Sequence, residues 1–404
     1  MDAFLARQPI FDKQKNVAAY ELLFRNGLDN YFSGLDGDTA TSKLLSSTFF
    51  TIGIEQITGG KQAFINFTAN LLVNELPLLF PQQVTVVEIL ETVRPEEGVI
   101  AACRNMAEKG YVLALDDFVL QPGMEVLISL ASIIKIDFRS TPEEVIRQYL
   151  RQLPVRRIRL LAEKVETHQE FDKALEMGFE LFQGYFFSKP EIIQGREIPG
   201  IQMTLLQLMA EVNRREFDFM QVEALITRDV SLSFKLLRYI NSAFFKRRQA
   251  ITSIKEALFY IGSDEIRRFV SLIALSEVAS EKPEELIRSS CIRAKFCEML
   301  GAISTGGAAQ GDLFLLGLFS RIDAILDRPM EVVMKQIPLT EEIRDALVWR
   351  KGVLAGFLRL AVEYEKGGWQ TVPSLCAKLS VSEDRLPSLY LQACQWSNGL
   401  SEIV

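Results

Sequence analysis

A chain of 404 residues, 48% apolar and 24% charged, has ample material for a core and, at roughly 100–200 residues per domain, for two or three domains. Its net charge of −7 and isoelectric point near 5.2 argue against general nucleic-acid binding, which needs a basic stripe. A single histidine, His168, excludes a Ser-His-Asp triad elsewhere and any His-rich metal site, and five cysteines, odd in number and without a CxxC pair, argue against a zinc knuckle or disulfide framework.

The start MDAFLARQPIFDKQ has no signal-peptide pattern, and apolar stretches such as VLAGFLRLAV are short and carry an arginine. A soluble, cytoplasmic protein with no membrane partner is expected. Short apolar runs then follow, each finishing on a polar residue: NVAAYE on Glu21, FINF on Asn66, VTVVE on Glu88, VLALDD on Asp116 and Asp117, IIKID on Lys135, IRLLAE on Glu163 and ELFQGY on Gln183. Between them lie amphipathic segments such as 96–110 and 168–180, so the pattern predicts βα units with parallel strands whose carboxyl ends share one face. In a β/α barrel that face carries the active site. Thr167-His168-Gln169-Glu170 reads as a capping box, which assigns His168 to a helix's first turn. Lys189-Pro190 and the breaker Ile198-Pro199-Gly200 end this pattern. Beyond them apolar residues recur at three and four, as at Leu232, Leu236, Leu237 and Ile240, which predicts helices. The expected organisation is an α/β barrel over 1–193, a linker over 194–200 and an all-helical domain over 201–404.

Any one strand-end carboxylate reads as a rim residue paired with a neighbouring lysine or arginine. Five together, Glu21, Glu88, Asp116, Asp117 and Glu163, repel one another, and one lysine cannot neutralise them. Either several are protonated or divalent cations sit among them. All-oxygen ligation, with Asn66 supplying a carbonyl, suits Mg²⁺, Mn²⁺ or Ca²⁺ better than zinc. The run Lys246-Arg247-Arg248, beside Phe244 and Phe245, reads as a solvated loop in an acidic chain, and Gly306-Gly307 as a helix connection.

Tyr20-Glu21-Leu22-Leu23-Phe24-Arg25 resembles the EAL signature of cyclic di-GMP phosphodiesterases, with Leu22 in place of its alanine. Phe64-Ile65-Asn66, Glu88-Ile89-Leu90-Glu91, Asp116-Asp117-Phe118, Ile134-Lys135-Ile136-Asp137, Ala162-Glu163-Lys164-Val165-Glu166-Thr167 and Gln183-Gly184-Tyr185 to Pro190 match the remaining blocks in order. The opening Arg7-Gln8-Pro9-Ile10-Phe11-Asp12 is similar to the subgroup that carries a C-terminal HDOD domain, a helical relative of HD phosphohydrolases. The resemblance implies a TIM-type (β/α) barrel followed by an all-helical HDOD bundle. It implies two divalent cations, Mg²⁺ or Mn²⁺ with Ca²⁺ as an inhibitory substitute, held by Glu21, Asn66, Glu88 and Asp116, with Asp117 and Glu163 serving the second. Lys135 would orient the attacking water, Glu163 would act as base, and Gln183 would hold the metal-water network. Arg25 would contact a ligand phosphate, with Gln8, Asp137 and Gln183 as further ligand contacts and Glu91 and Glu166 in support; for Asp137 and Glu166, capping hydrogen bonds are the rival account.

The implied activity is opening of cyclic di-GMP to linear pGpG. The alternative is a catalytically inactive cyclic di-GMP receptor or protein-interaction scaffold, and the segment that separates them follows Asp117. Family members continue there with Gly-Thr-Gly-Tyr, near the contact of a homodimer, whereas this chain reads Phe118-Val119-Leu120-Gln121-Pro122-Gly123. In the helical half, residues 231–245 and Ile254-Lys255-Glu256-Ala257-Leu258 resemble HDOD. Gly317-Leu318-Phe319-Ser320-Arg321-Ile322-Asp323 stands where an HD enzyme places its His-Asp dyad, so this half is expected to be a regulatory or interaction module with an unidentified protein partner.

Overall fold

A computed structural model describes residues 3–26, 54–154, 157–188, 208–209, 211–212, 217–228, 230–241, 245, 251–278, 282–305, 310–335, 337 and 339–400. The chain forms two compact units, residues 1–187 with 364–370, and residues 188–363 with 371–404.

In the first unit eight strands close into a barrel in sequence order: β1 (Ala3–Phe11), β2 (Val17–Asn26), β3 (Gln62–Phe67), β4 (Thr85–Ile89), β5 (Val112–Leu115), β6 (Ile133–Asp137), β7 (Arg159–Glu163) and β8 (Leu181–Gln183). From β2 to β8 every neighbouring pair is parallel. β1 departs from this, running antiparallel to both β2 and β8. The reason is local: residues 12–16 are too few for the crossover helix a parallel pair requires. They form a tight turn instead, in which Asp12 Oδ1 accepts the N–H groups of Gln14 and Asn16, each at 2.9 Å, and Lys15 takes φ 63°. The hairpin sets Gln8 opposite Glu21 and Ile10 opposite Gln183.

Strand alternation then stacks the barrel interior in layers. One buried layer takes an apolar residue from every strand: Ile10, Ala19, Phe64, Val86, Ala114, Ile133, Leu161 and Leu181. Two residues along each strand, on the same face by the period of two, come Gln8, Glu21, Asn66, Glu88, Asp116, Lys135, Glu163 and Gln183. The sequence runs that end on polar residues are this change of layer. Helices such as Glu97–Glu108, Glu143–Gln152 and His168–Glu176 cover the outside. The last opens on the capping box: Thr167 Oγ1 accepts the Glu170 N–H, and the Glu170 carboxylate accepts the Thr167 N–H, both at 3.1 Å.

The second unit is helical, including Phe219–Thr227, Val230–Ile240, Ile254–Val278 bent at Gly262, Glu284–Ile303, Gln310–Phe319 and Leu386–Leu400. Leu232, Leu236 and Ile240 are buried and Leu237 partly so. All five cysteines are buried free thiols, and burial pushes Cys291 and Cys376 up to about 12. Among the described residues no helix is long and apolar enough to cross a membrane. The expected linker over 194–200, Phe244, Lys246-Arg247-Arg248 and Gly306-Gly307 lie outside the described residues.

Candidate functional site

The polar layer converges on Lys135, whose side chain is 1% exposed. Its ammonium donates to Glu88 and, at 2.8 Å, to Asp116 Oδ1; Glu163 Oε1 lies at 2.9 Å and Glu21 Oε2 at 3.8 Å. Glu21 is fixed from two further sides, since Asn66 Nδ2 donates to Oε1 at 3.1 Å and Gln183 Nε2 donates to Oε2 at 2.6 Å. Gln183 Nε2 also reaches Gln8 Oε1 at 3.0 Å. Gln183 can stand there because Gly184 follows it with φ 147°; a Cβ on Gly184 would sit 2.0 Å from the Val165 carbonyl oxygen. That close approach, which lets Val165 N–H bond Gln183 O at 3.0 Å, requires glycine.

Four carboxylates, if ionised, leave the layer three charges short of neutral against one ammonium. Burial disfavours every one of those charges. Burial holds Glu88 well above the usual carboxylate range, the Lys135 ammonium offsetting it only in part while Glu21 and Asp116 add repulsion. Burial pushes Glu163 up to about 8 against the same ammonium. For Lys135 burial alone would lower the pKa; Glu21, Glu88, Glu163 and Asp116 overcome that and hold it well above the ordinary lysine value.

Four oxygens of the layer, Asn66 Oδ1, Glu88 Oε2, Glu163 Oε2 and Gln183 Oε1, are buried and accept no hydrogen bond. Buried acceptors are ordinarily satisfied, and four such hard oxygen donors in one layer fit the chemistry of Mg²⁺ or Mn²⁺. Among the described residues no three His, Cys, Asp or Glu side chains are set as a ready-made metal cage. Here the carboxylates face the Lys135 ammonium, so the donor set and the unpartnered oxygens, rather than a preformed cage, are what fit a cation.

Above the layer opens a cavity of about 700 Å³ lined by Gln8, Glu21, Asp116, Asp117, Glu163 and Gln183, together with Leu23, Arg139, Ser140, Lys164, Glu166, Gly184, Tyr185 and Lys366. Asp117 stands beside the cluster. It takes φ 37°, and its Oδ1 lies 3.5 Å from Lys164 Nζ. Phe118 is buried and edges against Tyr149, its N–H bonding Lys135 O at 2.9 Å, so the segment after Asp117 is anchored by an aromatic contact. Asp137 is committed to the turn after β6, accepting the N–H groups of Arg139 and Ser140 at 2.9 and 2.8 Å and Lys164 Nζ at 2.6 Å. Against the effect of burial, these donors hold Asp137 below its usual pKa, Lys164 first among them. Glu166 pairs with Arg139, and Glu91 lines a smaller cavity of about 140 Å³ with Arg94 and Asp117. The Arg25 side chain lies outside the described residues.

Sequence reasoning missed Arg139, Lys164, Tyr185 and Lys366. Lys164, between Glu163 and Glu166, carried a local signal in its alternation with acids; Lys366 carried none. In the second unit, Ser320 and Arg321, which the sequence sets against the HD dyad, are both buried. Ser320 Oγ accepts from Arg293 at 2.8 Å and donates to Gly317 O at 2.7 Å, a hydrogen-bonded core position rather than a metal site.

A closed barrel whose mouth carries one ring of carboxylates, amides and a lysine defines a TIM-type β/α-barrel protein with a polar rim site, continued by an all-helical bundle. The chain belongs to the family that joins an EAL domain to an HDOD domain: the EAL domain model matches residues 46–190 and the HDOD domain model residues 198–335. It is 38% identical to the cyclic di-GMP phosphodiesterase CdgJ of Vibrio cholerae over 404 residues, covering 99% of this chain and 94% of that one. It is 37% identical to the uncharacterized protein YuxH of Bacillus subtilis, covering both chains fully. Among solved structures, the calcium and cyclic di-GMP complex of Klebsiella pneumoniae BlrP1 matches at 21% identity and TM-score 0.39, over 47% of this chain and 56% of that one.

Proposed function

We propose that this protein is a divalent-metal-dependent phosphodiesterase that opens cyclic di-GMP to linear pGpG, with the helical HDOD unit as its regulatory or interaction module. The observation that carries the reading is the rim layer with its four buried, unpartnered oxygens above an apolar layer of the same eight strands. The activity of the full-length relative CdgJ supports the choice of substrate, and a cavity of about 700 Å³ is of nucleotide size.

Glu21, Asn66, Glu88 and Asp116 would hold a divalent cation, Mg²⁺ or Mn²⁺, with Asp117 and Glu163 serving a second. When bound, the ion supplies Lewis-acid stabilisation of the charge that develops on a phosphodiester. Lys135 keeps the carboxylates together and donates hydrogen bonds to the anionic cluster. Glu163, whose Oε1 lies 2.9 Å from Lys135 Nζ at the rim of the cavity, would act as the base that takes a proton from the attacking water. Gln183 orients Glu21 from one side and presents Oε1 from the other. Gln8 and Tyr185 line the wall against which the nucleotide would rest, and the cytoplasm is the compartment in which we place this chemistry.

The test is incubation of the full chain with cyclic di-GMP and Mn²⁺, with separation of pGpG by chromatography and Glu21→Ala as control. Product from wild type alone is expected. Tight binding without product would instead establish the receptor reading that the altered segment after Asp117 raises.

A further inference from the structure

Gln8 and Lys366 both line the cavity, and both fall outside the spans matched by the two domain models. Residues 364–370 are part of the first unit. They form a built turn: Gly367 N–H bonds Tyr364 O at 3.0 Å, Trp369 N–H bonds Gly367 O at 2.8 Å, and the Tyr364 and Trp369 rings meet edge to face at 5.2 Å. Gly367 takes φ 71°, and a Cβ there would lie 3.0 Å from Leu23 Cδ1, so the turn runs close over a residue of the cavity wall.

The turn is tied to the carboxylate layer through two amides. Gln8 Nε2 donates to the Lys366 carbonyl at 3.3 Å, while Gln8 Oε1 accepts from Gln183 Nε2, which also donates to Glu21 Oε2. With its backbone fixed in this way, Lys366 carries its ammonium 5.2 Å from the centre of the Tyr185 ring. Among the described residues, the three cations lining the cavity differ in one respect. Arg139 is paired with Glu166, and Lys164 with Asp137 and Asp117. Among the described residues, Lys366 has no carboxylate partner.

A cation held over an aromatic face at the mouth of a cavity, with no acid to neutralise it, is arranged to receive an anion. We propose that Lys366 is a ligand-binding residue that contacts a phosphodiester oxygen of the cyclic dinucleotide, with Tyr185 holding its ammonium over the cavity and Gln8 fixing its backbone. This inference rests on the cyclic di-GMP reading above, and it assigns the residues at 364–370 to the substrate site.

The experiment measures cyclic di-GMP affinity by calorimetry on the full chain in Ca²⁺, for wild type, Lys366→Ala, Lys366→Glu and Lys366→Arg, with Mn²⁺ affinity of each measured separately. Loss of one charged hydrogen bond to phosphate predicts about a tenfold weaker Kd for Lys366→Ala and a larger loss for Lys366→Glu. Lys366→Arg is expected to stay within about twofold, since it keeps the charge and the reach. Mn²⁺ affinity is expected to be unchanged in all four, which separates a ligand contact from a loosened carboxylate layer. Wild-type affinity in Lys366→Ala, or equal losses in the alanine and arginine variants, would overturn the assignment while leaving the cyclic di-GMP reading intact. If wild type itself binds no cyclic di-GMP, that reading and this inference fall together.

Discussion

Lys135 Nζ lies 2.9 Å from Glu163 Oε1, with the two side chains 1% and 9% exposed. A buried pair of this kind contributes little net stability over apolar residues of the same volume, but removing one partner strands the other. Here it would strand Glu88 and Asp116 as well. Lys135→Met is therefore expected to lower the stability of the metal-free protein by about 3–5 kcal/mol, read by urea unfolding in EDTA. Saturating Mn²⁺ should recover part of the loss by supplying the missing positive charge. If Mn²⁺ raised the stability of neither wild type nor Lys135→Met, no cation would enter this layer.

The pH dependence follows from Glu163. Its folded pKa of about 8 lies above the ordinary carboxylate value of 4.5, so between those limits the folded state holds a proton that the unfolded state has released. Stability of the metal-free protein, as far as this group sets it, is highest below pH 4.5 and falls as pH rises to about 8. A cation reverses the preference, because it binds the ionised carboxylate and displaces the proton. Mn²⁺ affinity should rise from about pH 6 to 8.5, the raised Glu88 carboxyl adding to the dependence that Glu163 sets. Calorimetry in buffers of different ionisation enthalpy should detect proton release at pH 7, and its absence would contradict a protonated Glu163 in the metal-free state.

Much of this site was legible because the barrel imposes a period of two. Ala114 to Asp116 and Ile133 to Lys135 are both a step from the apolar layer to the polar one, so an apolar run ending in a charge locates its own terminus. β1 was not legible as a strand: Arg7-Gln8-Pro9 interrupts its apolar pattern, and its antiparallel sense follows from the shortness of the turn at 12–16. For Asp137 the rival account of capping hydrogen bonds is the one that matches, since it accepts the N–H groups of Arg139 and Ser140; the identity of those donors depends on the course of a loop, which spacing does not encode. Lys366 was beyond reach of any local pattern, since it meets Gln8 across 358 positions of sequence.

Gly184 gives a test of how the amide Gln183 is placed. Gly184→Ala drives Cβ against the Val165 carbonyl and should cost about 3 kcal/mol or more. Gly178 also has positive φ, at 93°, but a Cβ there meets nothing within 4 Å. Gly178→Ala should therefore cost only the backbone term, about 1–2 kcal/mol. Thermal melts of both variants separate the contributions. Equal losses would show that the approach of Gly184 to Val165 is not what holds the end of β8.

Asp116 and Asp117 are neighbours with different surroundings. Asp116 has a side chain 14% exposed at 2.8 Å from Lys135, while Asp117 is 40% exposed at 3.5 Å from Lys164. Asp116→Asn removes a charge from the buried layer, and a loss of at least about tenfold in Mn²⁺ affinity is expected, with hydrolysis abolished. Asp117→Asn removes one partner of an exposed pair worth about 0–1 kcal/mol, so stability and the tighter Mn²⁺ equilibrium should scarcely move. Its effect on turnover carries the information. A fall in kcat with the first ion still bound would assign Asp117 to a second cation, despite the Phe118 anchor that follows it. Unchanged kcat would mean that one ion and Lys135 suffice, and that the altered segment removed the second site without removing the chemistry. Metal titration followed by electron paramagnetic resonance, run beside product analysis on the same samples, separates these outcomes.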